Sequence, residues 1–171
     1  MQLIACVDQN WGIGRNGNLL FRLPADMKFF RATTIHQTVV MGGNTFRSLP
    51  GSKPLPNRDN VVLSTTLPPG DNYLVVRTLN DLLAVLRRIS DQDSIFIAGG
   101  EQIYRALLPY CDRAVITKVG ANGNADRFFP NLDQHPEWSL SGDVTHQHDS
   151  GYNLTFCHYI YKGGKENETI S

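Results

Sequence analysis

Six short apolar runs rich in Val and Ile, at residues 3–7, 38–41, 61–64, 74–76, 95–98 and 114–119, recur along the chain with little polar interruption. A strand with one wet face alternates apolar with polar residues. An unbroken run belongs to a strand covered on both sides, as in a parallel sheet flanked by helices. Between the runs lie stretches with helical spacing, at 25–33, 44–49, 78–89 and 102–108. The third carries Leu79, Leu82, Leu83 and Leu86 on one face, behind Thr78 and Asp81 in a capping-box arrangement. Pro109 stops the fourth. Strands alternating with helices predict an α/β fold, a single domain around a mostly parallel sheet. The last third differs. Residues 138–144 and 152–161 alternate around a polar turn at Asp149-Ser150-Gly151, which predicts an antiparallel hairpin on the sheet edge. The folded domain is therefore read over 1–162, and 163–171 as a flexible polar tail.

The totals exclude several classes of function. The formal net charge is zero over 171 residues, and no Lys/Arg block offers a track for nucleic acid. No apolar run reaches membrane-spanning length, and no basic-then-apolar leader opens the chain, so no membrane partner and a cytoplasmic protein are expected. The three cysteines, Cys6, Cys111 and Cys157, are far apart and the five histidines form no H-x-x-x-H pair, so no metal site is predicted. Cys6 and Cys157 fall in apolar strand patterns and read as inert buried thiols.

Glycines cluster at three sites. Gly12-Ile13-Gly14-Arg15-Asn16-Gly17 matches the string G-x-G-x-x-G. That dinucleotide motif needs a strand ending at the first glycine and a helix opening at the third. Residues 8–11 intervene before Gly12, and 18–23 leave no room for a helix ahead of Pro24. The stretch from Gly12 to Phe21 is better read as a long loop acting as a lid. Gly42-Gly43-Asn44-Thr45 and Gly99-Gly100 do have strand-to-helix context. At such junctions free backbone N–H groups face an anion, and the missing Cβ lets a phosphate approach the chain. Two of them suit the two phosphates of a dinucleotide.

One acid, Asp26, sits in the apolar frame Leu23-Pro24-Ala25-Asp26-Met27-Lys28-Phe29-Phe30. Alone, this is ordinary helix chemistry: Pro24 suits a first helical position, and an acid in the first turn complements the positive helix end. Along the chain, however, come Ile4-Ala5, Gly12-Ile13-Gly14, Leu23-Pro24-Ala25-Asp26, Met41-Gly42, Pro54-Leu55-Pro56-x-Arg58-x-Asn60-Val61-Val62-Leu63-Ser64, Ile97-Ala98-Gly99-Gly100-x-x-Ile103-Tyr104, Thr117 and Asp126-Arg127-Phe128-Phe129-Pro130. In this order they resemble the dihydrofolate reductases, from the first strand through the final hairpin. The resemblance implies an eight-stranded, largely parallel sheet with flanking helices. It also implies NADPH-dependent reduction of 7,8-dihydrofolate to tetrahydrofolate for one-carbon metabolism, by a monomer open to antifolate inhibitors.

The resemblance assigns roles as well. Asp26 meets the 2-amino and ring N–H edge of the pterin, Thr117 hydrogen-bonds Asp26, and Phe21 and Tyr104 complete the catalytic set. Ile4, Met27, Phe30, Leu49, Leu55 and Ala98 pack on the pterin and benzoyl rings, and Arg58 forks onto the α-carboxylate of the glutamate tail. Nicotinamide lies against Ala5, Ile13, Leu19 and the Gly99-Gly100 turn, where a cis peptide is implied, and Gly14 is a further cofactor-binding residue. Gly42, Gly43, Asn44 and Thr45 cradle the phosphates, Ser64, Thr65, Arg77 and Gln102 stand around the phosphorylated ribose, and Leu63 and Ile103 complete the cofactor site. Some positions depart from the family pattern. Phe21 replaces a usual Trp, Leu20 a Pro (which should loosen the lid) and Ala125 a common Gly. Gly43 stands where Arg is frequent, and Thr65 and Gln102 are uncharged, so Arg77 is left as the cation and weaker discrimination against NADH is expected. Two alternatives stand beside this reading. A same-fold pyrimidine reductase of flavin synthesis would need cations for a sugar phosphate, where this chain offers an apolar slot ending at Arg58. A nucleotide-binding module without chemistry is opposed by intact Asp26, Thr117 and Tyr104.

Overall fold

The computed structural model describes residues 1–163, so all of the expected tail but Gly163 lies outside the described residues. The elements are β1 (Gln2–Val7), β2 (Gly12–Arg15), β3 (Asn18–Leu19), α1 (Pro24–Thr34), β4 (Thr38–Gly42), α2 (Gly43–Ser48), β5 (Asp59–Leu63) and β6 (Tyr73–Val76). They continue with α3 (Leu79–Leu86), β7 (Ile95–Ile97), α4 (Glu101–Leu107), β8 (Arg113–Val119), β9 (Arg127–Phe128), β10 (Trp138–Leu140), β11 (Thr145–Asp149) and β12 (Tyr152–Tyr161).

All six apolar runs became strands of one sheet, in the order β8-β1-β7-β4-β5-β6, every neighbouring pair parallel. The unbroken runs have the expected cause, two covered faces. Along β1, Leu3, Ala5 and Val7 share a core with Leu82 and Leu86 of α3 and Leu107 of α4. Ile4, pointing the other way, joins Phe96 and Val115 beneath Phe29 and Phe30 of α1. Val39, Met41 and Val62 pack with Phe46 of α2 on that same side. Each fully buried Leu, Ile, Val or Phe stabilises the fold by about 1.5–3 kcal/mol.

β12 lies antiparallel beside β8, and both β10 and β11 pair with β12. The sheet thus counts nine strands, yet eight positions across, because its edge is one strand in two segments. The Ser141 N–H still donates to the His158 carbonyl (2.9 Å), after which Gly142, at φ +72°, turns the chain out of the ladder. The edge strand expected over 138–144 therefore breaks after Leu140 and resumes at Thr145.

The expected lid loop contains structure of its own. β2 and β3 form a short hairpin, and β9 joins β2 to make a second, three-stranded antiparallel sheet. Buried Asp8 anchors its base: Oδ1 accepts from the Asn10 and Gly12 N–H groups (both 2.8 Å) and Oδ2 from the Gly123 N–H (2.9 Å). Leu20 packs over Gly123, where an added Cβ would lie 2.8 Å from the Leu20 Cδ1. A Cβ on Gly12 would likewise run into the Ala125 methyl, so the two small residues fit one another.

Helix ends show what frees the chemistry. Thr78 caps α3, its hydroxyl accepting from the Asp81 N–H (3.1 Å) while donating to the Asp81 carboxylate (2.7 Å), so only half of the capping box forms. α1 has no cap of its own. The N–H of Ala25 donates instead to Asp149 Oδ2 (2.8 Å), reaching from the last residue of β11. Asp149 thus does the work that the helix-chemistry reading gave to Asp26.

Candidate active site

Asp26 faces β1 and β8 from the first turn of α1. Cys6 and Thr117 are register partners on those two strands, and both side chains lie beside Asp26 and favour its ionised form. No Lys or Arg pairs with it among the described residues. Burial pushes the Asp26 pKa up, and Thr117 and Cys6 pull only partly against it. Burial, then the nearby Asp26 charge, drives the Cys6 thiol far up, so it stays protonated and able to donate. Tyr104 is buried, and its hydroxyl donates to the Ile4 carbonyl (2.7 Å). Its pKa is raised chiefly by burial, then by Cys6 and Asp26, and its single proton is committed to that carbonyl. Tyr104 therefore braces β1 against α4 as a neutral phenol.

An apolar slot runs away from Asp26. Phe30 and Ala98 pack with Ile4, and Ala98 also packs with the group containing Leu49 and Leu55, so it joins the two walls. Arg58 closes the far end, its guanidinium carbon 6.0 Å from the centroid of the Phe30 ring. Its loop is shaped by buried Asn60, which bonds the Leu55 N–H (3.0 Å), the Leu55 carbonyl (2.9 Å) and the Arg58 carbonyl (3.1 Å). Arg58 Nε is buried with no hydrogen-bond partner, and burial, then repulsion from Arg31, lowers the pKa of its guanidinium. A buried, unsatisfied cationic donor beside a second cation is an anion site in waiting. Met27, 60% exposed, stands outside these clusters.

The two glycine junctions meet. The Gly42 N–H donates to the Gly99 carbonyl (2.8 Å), tying the ends of β4 and β7 together. The Gly99-Gly100 peptide is cis, with Gly99 at φ +118°. An added Cβ would lie 3.1 Å from Ile103 at Gly42, 2.5 Å from Ser64 Oγ at Gly43, and 3.3 Å from Thr45 Oγ1 at Gly100. The cradle is thus bare backbone fitted between neighbours, as a phosphate-bearing cofactor requires. Farther along, Leu63 ends β5, and Arg77 Nη1 donates to the Ser64 and Leu67 carbonyls (both 2.7 Å). Asn44, Thr65 and Gln102 are exposed on this rim. On the other flank, Ala5 and Ile13 meet in the main core, Gly14 pairs with Leu19 across the hairpin, and Leu19 is 73% exposed. Phe21 packs edge-on against Tyr152 of β12, 5.0 Å between centroids.

The family model described as dihydrofolate reductase matches residues 1–162. The chain belongs to the dihydrofolate reductase family. Among its relatives, the dihydrofolate reductase of Bacillus subtilis is 32% identical over 168 residues, covering 97% of each chain. That of Drosophila melanogaster is 37% identical over 143 residues, covering 76% of this chain and 79% of the relative. Among solved structures, the Enterococcus faecalis dihydrofolate reductase complexed with NADP(H) and RAB-propyl superposes with a TM-score of 0.81 at 29% identity, covering 95% of this chain and 96% of that one. As a dihydrofolate reductase, this chain keeps the family's length and order without a large insertion, and the pyrimidine-reductase alternative falls away. Among the described residues no helix is long and apolar enough to cross a membrane, and no cluster of three or more His, Cys, Asp or Glu could hold a metal.

Sequence reasoning missed three contributors in this reductase. Cys6 was read as inert, though the period-2 alternation from Ile4 puts it on the same face, toward α1. Asp8 carried the signal of an acid just before a glycine loop. Arg31, whose charge reaches Arg58, lies one turn beyond Met27 and carried no signal that set it apart from any surface cation.

Proposed function

We propose that this enzyme reduces 7,8-dihydrofolate to 5,6,7,8-tetrahydrofolate with NADPH, using Asp26 as the acid at the pterin. The observation that carries this reading is the Asp26 carboxylate itself, set in an apolar frame beside Thr117 and Cys6 with no cation paired to it among the described residues. A planar amidine-like edge with two parallel donors is the partner such a carboxylate lacks, and it accepts both as a fork. Ile4, Phe30, Leu49, Leu55 and Ala98 give a slot for the aryl rings, and Arg58, with its orphaned Nε and Arg31 nearby, suits the carboxylate at the far end.

The residues at the glycine junctions fit a dinucleotide: Gly42, Gly43, Gly99 and Gly100 would hold the phosphates on bare backbone, and Ser64, Thr65 and Arg77 would meet the ribose end. NADPH, when bound, supplies the hydride delivered to pterin C6. The protein's share is alignment, exclusion of water and promotion of protonation at N5. The raised pKa of Asp26 brings it toward the working pH, where a group can both hold and release a proton. Its carboxylate grips the ring's far edge, so the proton reaches N5 through water. Tyr104 is a positioning residue, because its hydroxyl is occupied by Ile4. Cys6 and Cys157 as thiols accord with a reducing, cytoplasmic setting. Loss of NADPH absorbance on adding dihydrofolate tests the reading, and no loss above the enzyme-free rate would end it.

A further inference from the structure

We propose that Arg47 is the residue that selects NADPH over NADH, supplying from the next turn of α2 the positive charge that position 43 lacks. The inference deepens the function above and rests on its assignment of the glycine junctions to the cofactor. Sheet order fixes where the two ends of the cofactor must lie. Asp26 stands over β1, and the glycine junctions end β7 and β4, so a dinucleotide with its reactive ring at β1 extends toward β5 and β6. Three strand spacings from β1 to β5 span roughly 14 Å. The only chemical difference between the two cofactors is a phosphate dianion, so the selecting residue is a cation at that far end.

Two guanidinium groups meet there on one short loop. Arg77 Nη1 binds the Ser64 and Leu67 carbonyls from one side. Arg47 Nη2 donates to Thr66 Oγ1 (2.6 Å) from the other, and its Nη1 contacts Asn44 Oδ1 (3.3 Å). Neither arginine pairs with a carboxylate among the described residues. Two like charges clamped to residues 64–67 with no anion between them leave an unbalanced positive rim, edged by the hydroxyls of Ser64, Thr65 and Thr66.

Gly43 leaves Arg47 uncrowded at this rim. A Cβ at position 43 would lie 3.2 Å from Arg47 Nη1 and 2.5 Å from Ser64 Oγ. The guanidinium lies across the glycine, over the space a side chain there would enter. Losing a side chain at 43 and laying an arginine over the gap are therefore one arrangement. The weaker NADH discrimination expected from Gly43 alone gives way to firm selection for NADPH.

The test compares wild type, Arg47→Gln and Arg47→Lys by kcat/KM for NADPH and for NADH at saturating dihydrofolate. The expected result is a loss of roughly 10- to 100-fold for NADPH in Arg47→Gln, carried by KM, matching a charge-assisted bond. NADH should change less than about twofold, Arg47→Lys should recover part of the loss, and the salt dependence of KM for NADPH should flatten. Equal losses with both cofactors would mark Arg47 as a brace for the loop and overturn the proposal, as would no change with either. A wild-type enzyme that fails to oxidise NADPH with dihydrofolate would refute the function itself, a distinct outcome.

Discussion

Asp26→Asn should make this enzyme slower and, at neutral pH, more stable. The substitution keeps shape and volume, and the rotatable Thr117 hydroxyl can serve an amide as donor or acceptor. Asparagine offers one acceptor where the carboxylate offers two, so one charge-assisted bond to the pterin edge, about 1.5–3 kcal/mol, is lost and an N–H is turned toward an N–H. Loss of the proton-promoting group should cost roughly 100- to 10,000-fold in turnover at pH 7. The gap should narrow toward acid, where solvent protonates the pterin directly. Stability moves the opposite way. The Asp26 pKa lies above its ordinary 3.8 in the folded protein, mainly through burial. The folded state therefore holds a proton that the unfolded chain has released, and wild-type stability falls as pH rises from 3.8 through the raised value. Above that window the wild type carries the full cost of a buried charge and the Asn variant does not. Thermal melting from pH 3 to 8, beside steady-state kinetics on the same samples, reads both effects. An Asn variant with unchanged turnover, or one less stable at pH 7 than at pH 3 relative to wild type, would refute this account of Asp26.

Arg58→Leu should raise KM for dihydrofolate by roughly 10- to 100-fold with kcat nearly constant, because it removes binding far from the reacting atoms; titration with a pteridine lacking the glutamate tail should show no difference. Gly43→Ala should destabilise the fold by about 1–3 kcal/mol in urea, since its Cβ would press on Ser64 with little room to yield. Asp8→Asn should cost about 1–3 kcal/mol by the same measurement, as the Gly123 N–H loses its acceptor and the base of the β2–β3 hairpin comes loose.

Much of the sheet was legible because its causes are local. An unbroken Val/Ile run is buried on both faces wherever it lies, and each of the six runs became a parallel strand. Helix α3 announced itself by the spacing of its leucines and by Thr78, whose bond to Asp81 needs only neighbouring residues. Asp26, Phe30 and Arg58 were named from motifs, and the tertiary structure brings Phe30 and Arg58 within contact across 28 positions of sequence. What stayed hidden depends on pairs distant in the chain. Nothing near Pro24 reveals that Asp149 would cap α1, yet that bond frees Asp26 from capping. The break in the edge strand at Ser141 shows only beside β12.

The sequence by itself determined the six parallel strands, the helices and which residue types stand at the cleft, since periodicity and motif order are properties of short stretches. The tertiary structure decided how those residues behave. Register on β1 and β8 set Cys6 beside Thr117 under Asp26, and burial there raised the carboxyl's pKa. Packing spent the proton of Tyr104 on Ile4 and laid Arg47 over Gly43. A pKa, a hydrogen-bond partner and a steric gap are each set by whatever lies within a few ångströms, and most of those neighbours are far away along the chain.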